Sequence, residues 1–152
     1  LLSKEDSLSK EEMLKAAYLF NFTKFIEWPN VGPDKLPSKI RICVESSYGF
    51  FGFLRQLVGS RRAGKLEHAV EVLQLKKASG CELLYVSETK KTVAAQLDNT
   101  VIVADSVSVS FPGTAMIFYE ENRKLRFEID LKKINELNII VSSELLKLAR
   151  IK

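Results

Sequence analysis

Between residues 15 and 29 the chain reads KAAYLFNFTKFIEWP, with aromatic or aliphatic side chains in nearly every direction around a helix. Ser9 followed by Glu12 makes a capping box, so a helix is predicted from about Lys10. It is expected to run to Pro29, which lacks a backbone donor and pushes Trp28 towards an extended conformation. VGPDKLPSK, with two more prolines and a glycine, is then a loop. KIRICVE at 39–45 alternates Ile40, Ile42 and Val44 with Arg41, Cys43 and Glu45 and predicts the first strand. Ser46 and Ser47 offer N-caps for a helix over 48–58, stopped by Gly59. AVEVLQL at 69–75 is a second strand, and CELLYVS at 81–87 a third, apolar enough to be buried on both faces. A helix is expected over about 88–97, leading into another buried strand, TVIVAD, at 100–105.

The last third changes pattern. AMIFYEE and KLRFEIDL flank Asn122 and Arg123 as an antiparallel hairpin, followed by a short helix in LKKINELN, a brief strand in IIV and a closing helix in SSELLKLARI capped by Ser142 or Ser143. Strands and helices alternating at this spacing indicate the α/β class. The expected architecture is one domain over 9–152: a mixed, mostly parallel sheet with flanking helices and a C-terminal antiparallel hairpin. Residues 1–8 are expected to form a polar, flexible tail. On the first helix Tyr18, Phe22, Phe25 and Ile26 share one face and are expected to cover the sheet. Leu14, Phe20 and Trp28 are left for another surface, either a second subunit of a homodimer or the C-terminal helix.

Composition narrows the class. The 152 residues, 46% hydrophobic and 28% charged, fit one core. A net charge of +4, with acids and bases interleaved, gives no dense basic stripe, so nucleic acid is not an expected partner. No run of about 18 uncharged apolar residues is present, so direct membrane insertion is not expected. The first residue is not Met, and the polar opening suits a mature exported protein whose signal peptide has been removed, or equally a start set by expression. Two cysteines, Cys43 and Cys81, with the single His68 are too few for an ordinary four-ligand zinc site, and no metal or other cofactor is expected. The pair is either a disulfide or two inert core thiols.

Candidate chemistry is sparse. His68, beside Glu67, is expected to be structural or at the surface, because no G-x-S-x-G, HExxH or C-x-x-C accompanies it. SSYGFFG places Ser47, Gly49 and Gly52 at a strand-to-helix turn whose amides are suited to an anion, although the phenylalanines argue for packing. Arg61, Arg62 and Lys65 form a small cationic cluster, expected to be a solvated turn unless an acidic surface meets it. Glu45 and Asp105 end strands, but the adjacent acidic pair of a phosphotransfer receiver is missing. With neither an acid–base pair nor a metal constellation, an enzyme is not expected.

Three stretches together resemble the YfiR family of bacterial periplasmic regulators. KAAYLFNFTKFIEWP is similar to that family's N-terminal helix signature. AMIFYEENRKLRFEIDLKKINELNIIVSSELLKLARIK resembles its C-terminal block of Met-Ile strand, R-F-E-I strand and S-S-x-L-L-x-L-A helix. Cys43 and Cys81 fall in the strands where the family places a disulfide pair, so the resemblance implies that they are bridged. The likeness covers nearly the whole chain, with 46–80 matched in pattern only. The chain departs from the family at Gly113, Thr114 and Ala115, where paired glycines are common, and it lacks the second cysteine pair that some members carry near the hairpin.

The resemblance implies regulation without catalysis. Such proteins sit in the periplasm, bind the sensor domain of an inner-membrane diguanylate cyclase and hold it inactive, lowering cyclic di-GMP and biofilm formation. They are in turn sequestered by an outer-membrane lipoprotein with an OmpA-like domain. On the hairpin, Arg126, Glu128 and Asp130 share the face opposite Phe127 and Ile129. Arg126 and Glu128, with Ile134 at the start of the next helix, are the expected partner contacts. The alternative is a periplasmic small-molecule sensor, with its pocket at the turn of Ser47, Gly49 and Gly52.

Overall fold

The capping box forms: Ser9 Oγ accepts from the Glu12 amide at 3.1 Å while Glu12 Oε1 accepts from the Ser9 amide at 3.1 Å. It opens α1 (Lys10–Phe25) in the computed structural model, which describes residues 8–32, 34, 38–77, 80–88 and 99–152. The expected tail lies mostly outside the described residues, and Leu8, its last residue, packs on the core. The helix stops at Phe25 rather than at Pro29. Ile26, β-branched and better suited to extended backbone, takes φ −116°, ψ 133°, and β1 (Ile26–Glu27) pairs antiparallel with β9 (Ile140–Val141). A strand partner thus claims the last turn of the predicted helix.

The succession continues through β2 (Lys39–Glu45), α2 (Tyr48–Val58), β3 (Arg62–Ala63), β4 (His68–Gln74), β5 (Leu83–Val86), β6 (Val101–Ala104), β7 (Met116–Glu121), β8 (Lys124–Ile129), α3 (Leu131–Glu136), β9, α4 (Ser143–Leu148) and β10 (Arg150–Ile151). The helix expected over 88–97 falls mainly outside the described residues. The main sheet runs β10-β8-β7-β6-β5-β2-β4-β3, parallel at every junction except β7 with β8 and β3 with β4. A mixed, mostly parallel α/β sheet in a single domain is therefore the fold. Three strands lay beyond the sequence pattern: β1, β3, and β10, which pairs parallel with β8 directly after α4. The hairpin turn carries Asn122 at φ 52° and Arg123 at φ 63°, and two successive positive φ values match the right-handed twist of the flanking strands.

The apolar helix α1 is buried on several sides. Ala16, Leu19, Phe20 and Phe22 all enter the main core, with the sheet beneath and α2 and α4 alongside. Phe22 lies edge-on to Phe127 at 5.0 Å and stacks on Phe118 at 5.9 Å, while Tyr18 meets Phe127 at 5.7 Å. A second cluster gathers Cys43, Leu75, Cys81, Leu84, Val86 and Ile102. Strands β5 and β6 are buried at every position because they feed both clusters.

Candidate functional site

The outer face of the hairpin is built by antiparallel register, which sets Tyr119 opposite Arg126 and Ile117 opposite Glu128. Strand β10 adds Arg150 beside Glu128. Arg150 donates to Glu128 Oε2 from Nε at 2.8 Å and from Nη2 at 2.7 Å, and its guanidinium lies 3.8 Å over the Tyr119 ring. Glu128 is thus a neutralised carboxylate held in place. Arg126 is exposed and forms no ion pair among the described residues. The face offers a planar cation on an aromatic ring, a held carboxylate and a free guanidinium on rigid backbone.

Ile134 does not join it. The side chain is 2% exposed and belongs to the main core, because α3, capped by Asp130 accepting from the Lys133 amide, folds that residue inwards. Arg126 and Glu128 are brought together; Ile134 is corrected to a core residue. Arg150 and Tyr119 escaped the sequence reading. A two-residue strand is too short to show alternation, and its partner lies 22 residues upstream.

The three residues left over on the first helix are also separated. Phe20 is 4% and Trp28 6% exposed, both inside the chain's own core, whereas Leu14 remains 44% exposed. Of the two surfaces offered for them, the C-terminal helix is the one that α1 meets within the chain. Phe20 and Trp28 have little surface left for a second subunit.

At the turn, Ser47 caps α2 by accepting from the Phe50 amide at 3.1 Å. Phe50 is core, and Phe51 and Phe53 pack against it, so the aromatic run is structural. A cavity of about 460 Å³ opens beside the cap, lined by Glu45, Ser46, Ser47, Tyr48, Lys76 and Glu88 among others; Gly49 and Gly52 do not line it. It adjoins the point where β2 has the next two parallel strands of the chain, β4 and β5, on opposite sides, the place where α/β sheets open a crevice. In that crevice the Ser87 hydroxyl donates to Ser46 Oγ at 2.9 Å, closing the two strand ends on each other. Nearby, Lys15 Nζ donates to Asp105 Oδ1 at 2.7 Å, and the buried Tyr85 hydroxyl donates to the same oxygen. Burial first, and that hydrogen bond second, push the Tyr85 phenol well above its ordinary value.

His68 opens β4, half-buried opposite Ala63. Arg61 and Arg62 each donate to a main-chain oxygen, of Leu57 and of Glu67. No group of three His, Cys, Asp or Glu suited to a metal ion is found among the described residues. Cys43 of β2 and Cys81, just before β5, are joined by a disulfide with Cα atoms 5.8 Å apart. Beside it Arg41 forks onto Glu82, Nε to Oε1 at 3.0 Å and Nη2 to Oε2 at 2.8 Å, and this hydrogen bonding raises the guanidinium pKa despite burial. Gly80 leaves room for it, since a Cβ there would lie 3.0 Å from Nη2.

Fold and face together define a disulfide-crosslinked α/β domain whose organised surface is an ion-paired hairpin, the kind of surface that suits binding. No helix among the described residues is long and apolar enough to cross a membrane, and the disulfide is consistent with an oxidising compartment. The model of the YfiR/HmsC-like family matches residues 12–150, and the chain belongs to that family. Membership implies a role as a regulator of diguanylate cyclase signalling. No curated protein matches the chain.

Proposed function

We propose that this domain acts in the periplasm as a repressor: it binds the sensor domain of an inner-membrane diguanylate cyclase and holds the enzyme inactive, lowering cyclic di-GMP and biofilm formation. The observation that carries this is the family match over 12–150. The disulfide supports the compartment. An outer-membrane lipoprotein with an OmpA-like domain is the proposed sequestering partner. Leu14, with Met13 beside it exposed on α1, is the part of the proposed homodimer contact that remains at the surface.

The proposed contact face is Arg126 and Glu128, extended by Arg150 and Tyr119. A rigid, partly neutralised surface loses little side-chain entropy on binding, and Arg126 is left to pair with a carboxylate of the partner. Calorimetry of the oxidised domain with the periplasmic domain of the cyclase encoded beside it is the test. Saturable binding is expected, abolished by Glu128→Lys, which sets a second cation against Arg150, and weakened by about tenfold by Arg126→Glu. Binding untouched by both substitutions would move the site off the hairpin, and no binding at all would reject the partner.

The cavity beside Ser47 favours a second reading, a small-molecule sensor. Under it, aromatic metabolites raise the melting temperature of the domain, and Ser47→Ala or Tyr48→Ala removes the shift.

A further inference from the structure

Beyond Ala69, the outer side of β4 is left open among the described residues. Strand β3 pairs only with His68 and Ala69, so residues 70–74 have β2 on one side and no strand on the other among the described residues. Along that stretch alternate amides and carbonyls point away from the sheet without a ladder partner. Its sequence, Val-Glu-Val-Leu-Gln, has none of the usual guards against strand addition. There is no proline or lysine in it, and its one charge, Glu71, is tied to Lys39 Nζ at 2.9 Å. The opposite edge of the sheet differs: β10 is two residues long and carries Arg150.

A groove of about 540 Å³ follows the open edge, with residues 70–74 along one side and Phe51, Arg55 and Val58 of α2 forming the other wall. The open edge suits a short strand, since five residues at about 3.3 Å each cover roughly 16 Å. The electrostatics select the occupant. Arg55 is exposed and meets no carboxylate within ion-pair distance among the described residues, and Arg61 and Arg62, just beyond α2, are also exposed and spend their hydrogen bonds on carbonyl oxygens. Among the described residues, this end of the sheet therefore carries three guanidinium groups without acidic partners. The same edge of a second copy brings only one acid, Glu71, which is already tied to Lys39, and this disfavours a second copy as the occupant.

We propose that residues 70–74 receive a strand from another protein, an extended segment in which apolar side chains alternate with acidic ones. Main-chain hydrogen bonds supply the affinity. The apolar residues face Phe51 and Val58 on the α2 side, where Val70 and Val72 lie. The acids, on the opposite face of the added strand, answer Arg62, which pairs with Ala69 and so shares the face of residues 69, 71 and 73. This surface is separate from the hairpin and does not depend on which partner the hairpin binds.

The test is an NMR titration of the oxidised, ¹⁵N-labelled chain with an acetylated, amidated hexapeptide of alternating valine and glutamate, beside its valine–lysine counterpart. Shift changes and slowed amide exchange confined to 70–74 and the facing turn of α2 are expected, with the glutamate peptide bound at least about fivefold more tightly at low salt. Arg62→Glu, at an exposed position, is expected to cancel or reverse that preference, and Arg62→Lys to retain it. Shifts elsewhere, equal binding of both peptides, or no shift at millimolar peptide would overturn the proposal. So would a dimer in sedimentation velocity whose protected amides are 70–74, because a second copy would then occupy the edge.

Discussion

Tyr85 is enclosed in the core, stacked on Phe50 at 4.8 Å, with its hydroxyl on Asp105. Its phenolate would have to form in an apolar surrounding beside a carboxylate. An unfolded chain releases the tyrosine proton near pH 10, whereas the folded one retains it well beyond that. The contribution of this proton to stability is therefore whole below about pH 10 and is lost as the pH rises further. Tyr85→Phe removes the titration, so its melting temperature should fall less steeply than the wild type's between about pH 9 and pH 11, at a cost of about 1 kcal/mol at neutral pH from the lost hydrogen bond. Thermal unfolding across that range checks both. An equal slope in the two proteins would mean that other groups govern the alkaline limit. None of this was legible along the chain, where Lys15, Tyr85 and Asp105 look like unrelated residues on separate elements.

At the scale of elements, α1 shows how a pattern can be right in kind and wrong in assignment. The capping box set the start, and the apolar excess correctly signalled several contacts. Which residue faces which neighbour depended on α2 and α4 being beside it, and so Phe20 lies in the chain's own core rather than against a second subunit. Phe20→Ala is expected to destabilise the fold by about 3 kcal/mol in urea unfolding, with the oligomeric state in sedimentation unchanged. A change in association with stability intact would return Phe20 to an interface. The hairpin was the most legible element, because Asn122 and Arg123 mark the turn and KLRFEI on its second side alternates strictly. Its functional face was only half legible. Glu128 appears free in sequence and is held by Arg150 in the structure, as a two-residue strand brings in a residue that local pattern assigns to a helix.

For the whole molecule, β2 is the hub: it pairs with β4 and β5, ends at the crevice and carries Cys43. The disulfide ties it to the approach of β5 across 38 positions. Closing a loop of that size restricts the unfolded chain, so the Cys43→Ser, Cys81→Ser double variant should lose about 3 to 4 kcal/mol of stability relative to the oxidised protein, and reductant should have no further effect on it. Guanidinium unfolding of both proteins measures the difference. A loss well below 1 kcal/mol would mean that the unfolded chain gains little freedom when the link is cut.

The sequence by itself determined what depends on neighbours a few positions apart: the capping box at Ser9, the helix starts at the serine pairs 46–47 and 142–143, the alternation in β2 and β8, the two-sided burial of β5 and β6, and the end motifs that carry the family likeness. Tertiary structure alone decided what depends on residues far apart in the chain. It took Ile26 out of the helix by offering β9, enclosed Ile134 and Phe20, set Arg150 on Glu128, and left residues 70–74 on the outer side of β4 without a strand partner among the described residues. Those outcomes follow from which surfaces meet when the sheet closes, and local periodicity holds no record of that choice.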